Sequence, residues 1–113
     1  VAPFEVFEPV RERPPRTEVH ATINPSGHVF LTGGVVRQFG LRGVHDIEVA
    51  VDGTRIAIRP VEEGSVHTYK AREVYGFCFC ILAPLRKVGL PQSPVRFIPY
   101  EEDNWLVVYD AAT

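Results

Sequence analysis

Asp52 and Gly53 separate two stretches of alternating apolar and polar residues, Asp46 to Val51 and Thr54 to Arg59. No other feature constrains the fold as strongly. A period of two marks a half-buried strand, and Asp-Gly between two such strands favours a two-residue type I′ turn. That turn predicts a register with Val49 opposite Ile56 and Ile47 opposite Ile58 on one face. The other face pairs Asp46 with Arg59 and Ala50 with Arg55, with Glu48 on the diagonals. One face is core, and the other is a charged surface that neutralises itself.

Upstream of this hairpin, Glu18 to Asn24 alternates, with Val19, Ala21 and Ile23 to one side. Pro25-Ser26-Gly27 is a turn, since Pro presets φ and Gly permits a positive one. His28 to Leu31 returns as a strand. Gly33 to Phe39 then forms a short helix with Val35, Val36 and Phe39 inward and Arg37 outward. Gly40 is placed to end that helix in the left-handed conformation.

A degraded copy follows. Val66 to Ala71 reads as a strand, and Gly76 leads an apolar one, FCFC. Leu82 to Val88 makes a second short helix, in which Pro84 is tolerable near the first turn. Gly89-Leu90 repeats Gly40-Leu41, and Arg86 falls where Arg37 does. Val95 to Tyr100 and Trp105 to Asp110 are expected to form a second hairpin around Glu101 to Asn104. With Phe97 and Val108 on one face and Ile98, Val107, Tyr100 and Trp105 on the other, it is apolar on both sides and needs cover on both.

These elements predict a mainly β protein, a small barrel built from a pseudo-duplicated unit with two short helices. Residues 17–113 form the barrel domain, with a first unit at 19–60 and a second at 66–110. Residues 1–16 form an arm. Phe4 to Glu8 alternates as a short edge strand, and Pro9 to Arg16 is extended because three prolines fix φ and remove donors. Arg11, Arg13 and Arg16 make that segment either a solvated linker or a basic arm for phosphates or an acidic partner.

The run from Thr22 to Pro60 resembles the AbrB-type swapped-hairpin family of transition-state regulators and antitoxins. The pattern is a strand, a turn closing in Gly27, a Val29-x-Leu31 strand, a short helix ending in Gly40-Leu41, and an I-x-V hairpin around Asp52-Gly53. The resemblance implies two interlocking units in a small β-barrel, usually a homodimer, and often DNA binding. Here the second copy lets one chain supply both units. Where the family commonly carries cations, this chain has His28, Gly33 and Val36, and Arg37 alone keeps a charge in that neighbourhood.

Charge narrows the function. Twelve Lys and Arg against fourteen Asp and Glu give a formal net charge of −2, so any nucleic-acid site must be a local patch. No apolar run approaches the roughly 20 residues that cross a bilayer, and the start has no signal-peptide layout. A soluble, cytoplasmic protein is expected. Cys78 and Cys80, two apart in an apolar strand, read as reduced core residues. His20, His28, His45 and His67 lack metal-ligand spacing, although His20 and His28 sit where a hairpin brings them near each other. With no phosphate loop and no dinucleotide fingerprint, the chain reads as a non-enzyme without cofactor or metal. Two functions follow. One is a DNA-binding regulator or antitoxin-like protein using His28, Arg37, Arg55 and Arg59. The other is a protein-interaction module in which Phe97, Ile98, Tyr100 and Trp105 dock a partner or a second copy.

Overall fold

The computed structural model describes residues 18–61, 68–73 and 75–112. The expected Phe4–Glu8 strand, the arginine arm, Val66 and His67 lie outside the described residues. Strands β1 (Ala21–Ile23) and β2 (His28–Thr32) are joined by Asn24 to Gly27, and the Asn24 amide donates to the His28 carbonyl at 2.9 Å, which leaves Pro25 to Gly27 as a three-residue loop. The Gly27 amide donates to the Asn24 carbonyl at 3.0 Å, and Gly27 has φ +92°. This is the usual three-residue hairpin connection, with a positive-φ residue after the turn. Helix α1 (Gly33–Phe39) follows directly, and Gly40 ends it with φ +67° as expected. Strands β3 (Asp46–Asp52) and β4 (Arg55–Pro60) form the first long hairpin.

The second half repeats the order. It runs β5 (Tyr69–Glu73), β6 (Gly76–Cys80), α2 (Leu82–Val88), β7 (Val95–Phe97), β8 (Tyr100–Glu102) and β9 (Trp105–Asp110). Among the described residues, all nine strands belong to one antiparallel sheet ordered β7-β1-β2-β6-β5-β3-β4-β9-β8. Exchange β1, β2, β3 and β4 for β5, β6, β7/β8 and β9, and the pairing pattern is unchanged. The β2–β6 and β4–β9 pairs map onto themselves, and β1–β7 maps onto β5–β3.

The two end strands, β7 and β8, are separated by Ile98 and Pro99 alone. Three Cα steps span at most about 11 Å, so the sheet must curl until its ends nearly meet. The result is a curled half-barrel. Its inner face and the helices enclose Ile23, Leu31, Val35, Ile47, Ile56, Ile58, Phe77, Ile81, Leu85 and Val108, all fully buried. Each such side chain contributes about 1.5–3 kcal/mol of burial.

Three expectations are corrected. The first hairpin pairs Val49 with Ile58, Val51 with Ile56 and Asp52 with Arg55. The turn residues are therefore Gly53 and Thr54, and Gly53 alone among them has positive φ, +61°, the type II′ pattern rather than I′. The shift is two residues, so each face keeps its predicted set. Second, Val95–Phe97 does not pair with β9. It crosses to β1, with Phe97 opposite Ala21, and only Tyr100–Glu102 forms the second hairpin. Pro99 lacks a ladder donor and breaks the run there. Its turn, Asp103-Asn104, has φ +52° and +65°, both positive as in type I′. Third, Phe77 and Phe79 take the inner face of β6, so Cys78 is half-buried and Cys80 exposed, and both are free thiols rather than core residues.

Candidate functional site

The β4–β9 pairing places the outer faces of the two long hairpins side by side. Outward residues of β3 and β4 alternate charge and alanine: Glu48 opposite Arg59, Ala50 opposite Ala57, Asp52 opposite Arg55. Beside Ala57 lies Val107, and Val107 in turn pairs with Tyr100, as Trp105 does with Glu102. These residues enclose a recess of about 210 Å³ lined by Ala50, Asp52, Arg55, Ala57, Glu102, Asp103, Trp105 and Val107. Two alanines make room, and Trp105 walls one side. Val107 is only 2% exposed although it lies outside the main core cluster, so the outer face has a small apolar floor of its own.

Charge around the recess is organised by Arg55. Its guanidinium reaches Asp52 at 2.6 Å and Glu102 at 2.5 Å, and donates to the Tyr100 hydroxyl at 3.3 Å. Hydrogen bonds to Tyr100, Asp52 and Glu102 hold its pKa above the ordinary arginine value. Arg59 pairs with Glu48 at 2.7 Å, and its guanidinium carbon stands 4.2 Å from the centroid of the Trp105 ring. Three carboxylates, Asp52, Glu102 and Asp103, thus face one guanidinium in the lining. The recess is acidic.

The expected nucleic-acid residues do not converge. Arg55 and Arg59 share the outer face of β4 and each is ion-paired to carboxylates. His28 lies at the start of β2, exposed, with its ring nitrogen 2.9 Å from the Ser26 hydroxyl. Arg37 projects from α1 beside a different recess, lined also by Arg42, Glu73 and Tyr75. His20 is aligned with Thr32, not with His28: the Thr32 amide donates to the His20 carbonyl at 3.1 Å, and the Thr32 hydroxyl accepts from the His20 amide at 3.2 Å. Among the described residues no cluster of His, Cys, Asp and Glu has the makings of a metal site.

The expected partner-binding residues divide. Tyr100 and Trp105 border the acidic recess. Phe97 packs against the core, its ring 6.1 Å from Tyr100 and 6.5 Å from Tyr109. Ile98, at the break between β7 and β8, is 74% exposed. Sequence reading missed Ala50, Ala57, Asp52, Glu102 and Asp103 as one site. The signal was the alternation itself, since the outward positions of β3 and β4 alternate charge with alanine, but nothing local says that β9 lies alongside. A comparison with models of known protein families, with curated proteins and with solved structures finds no match to this chain.

Proposed function

We propose that this protein is a non-enzymatic protein-interaction module, built on an AbrB-type swapped-hairpin plan, whose acidic recess beside Trp105 receives a cationic side chain of a partner protein. The observation that carries the reading is the excess of carboxylates, Asp52, Glu102 and Asp103, over the lone guanidinium of Arg55 around an apolar floor. The apolar floor strengthens the attraction for a Lys or Arg head group, and Trp105, with Arg59 over its ring, shapes the wall. The exchangeable strand pairing of the two halves supports the family plan. A cytoplasmic setting suits the two free thiols, one of them exposed.

The nucleic-acid reading has less support, because Arg55 and Arg59 already spend their charge on Asp52, Glu102 and Glu48. A phosphate surface needs uncompensated cations. Selection of random peptides on the parent protein, with counter-screening on Trp105→Ala, tests the proposal. Lys- or Arg-containing peptides that lose binding to the variant are expected. Peptides without that bias, or equal binding to both proteins, overturn it. In the same preparation, binding to random duplex DNA with a steep salt dependence would favour a regulator acting through His28 and Arg37 instead.

A further inference from the structure

Helix α1 and the β5–β6 turn enclose a second recess, of about 330 Å³, lined by Gly33, Val36, Arg37, Arg42, Glu73, Tyr75 and Gly76. Its origin is a difference between the two halves of the chain. In the other half, the first residue of α2 is Leu82, which closes directly on Gly27 of the β1–β2 turn. A Cβ placed on Gly27 would stand 2.8 Å from the Leu82 Cβ. In this half the first helical residue is Gly33, and the turn carries Tyr75. The missing leucine leaves the space open.

What lines the opening is chemically specific. Arg37 stands in the last turn of α1, and Arg42 in the bend just after it. The Gly43 amide donates to a Glu73 carboxylate oxygen, which anchors that bend to β5 and holds Arg42 beside the recess. Among the described residues no carboxylate forms an ion pair with Arg42. Tyr75 is 82% exposed and has φ +56°. A bulky residue rarely holds a positive φ, and strain of this kind gathers at ligand clamps. Two guanidinium groups match a phosphate in charge and hydrogen-bond geometry, and an exposed tyrosine offers a face on which a planar ring stacks.

We propose that this recess binds a phosphorylated aromatic ligand of nucleotide type, with Arg37 and Arg42 on the phosphate and Tyr75 under the ring. The volume falls in the range of small-ligand sites, and the site is independent of the acidic recess beside Trp105. Free nucleotide and the 5′-phosphorylated end of a single strand present the same chemistry.

Calorimetric titration of the full chain with 5′-AMP, adenosine and inorganic phosphate provides the test, followed by a short oligonucleotide with and without its 5′-phosphate. Saturable binding of AMP is expected, tighter than that of inorganic phosphate or adenosine. Arg42→Gln should weaken AMP binding about tenfold. Tyr75→Gly should weaken it by a similar factor, about tenfold, while leaving thermal stability equal or higher, because Gly relieves the positive φ. That split separates lost binding from lost folding. A preference for the phosphorylated oligonucleotide over AMP assigns the strand end as the source, and the reverse assigns free nucleotide. No saturable AMP binding, or unchanged affinity in both variants, overturns the proposal.

Discussion

The guanidinium of Arg59 lies over the indole of Trp105 at 4.2 Å from the ring centroid, while its nitrogens bond Glu48. One cation therefore satisfies a carboxylate on β3 and covers an aromatic ring on β9. The second hairpin looks apolar on both sides in sequence because neither Arg59 nor Ala57 is near it in the chain. In space they are its immediate neighbours, and the aliphatic stem of an arginine is suitable cover for such a face.

Truncating either partner tests this cover. Arg59→Gln should cost about 0.5–1 kcal/mol and shift Trp105 fluorescence to the red. Trp105→Ala should cost more, about 1–3 kcal/mol, because Val107 loses its shield as well. Urea denaturation midpoints provide the measurement. An unchanged midpoint in Trp105→Ala would mean the indole shields nothing.

The two hairpin turns differ in kind, and the difference is open to mutation. Asn104 has φ +65°, so Asn104→Gly should stabilise the fold by up to about 1 kcal/mol. Gly53→Val should destabilise it by about 1 kcal/mol or more, because a β-branched residue resists φ +61°. Opposite shifts in melting temperature are the expected outcome.

Asp110 gives a signed pH dependence. The Thr54 hydroxyl donates to its carboxylate at 2.6 Å and the Ala112 amide donates at 2.9 Å, and together they lower its pKa below the ordinary value of 3.8. A carboxylate depressed in the folded state contributes stability that is complete above its ordinary pKa and is lost as pH falls through the folded value. The melting temperature should fall on acidification below about pH 4, and Asp110→Asn should make that part of the curve shallower. A variant curve parallel to the parent's would remove Asp110 from the account.

The exchangeable strand pairing lies within one chain, so the fold should not need a second copy. A melting temperature constant over a wide dilution is expected, whereas an obligate dimer melts lower when dilute. Concentration-dependent melting with a dimer mass at the lowest concentration would return the chain to a two-chain barrel.

Local chemistry made the helices legible. Gly40 and Gly89 follow helices Gly33–Phe39 and Leu82–Val88 at the residues where the apolar pattern ends. The hairpin faces were also legible, because a shift of two residues preserves them. The register itself was not. Asp52-Gly53 and Gly53-Thr54 are both acceptable turn pairs, and the choice falls to the one that seats Asp52 opposite Arg55 for the 2.6 Å ion pair. The acidic recess was illegible for a different reason. Arg55 and Glu102 are far apart in sequence and become neighbours through the β4–β9 pairing, which no local pattern encodes.

The break at Ile98-Pro99 has a consequence for solubility. A curled sheet that stops short of closure keeps two edges, and unpaired edges recruit foreign strands into fibrils. Here a single crossing segment occupies both edges, paired to β1 in its first half and to β9 in its second. Any strand approaching the gap finds at its midpoint a proline, which has no amide hydrogen to donate. The same residue that splits the strand thus withholds a ladder donor at the gap between the two ends of the described sheet.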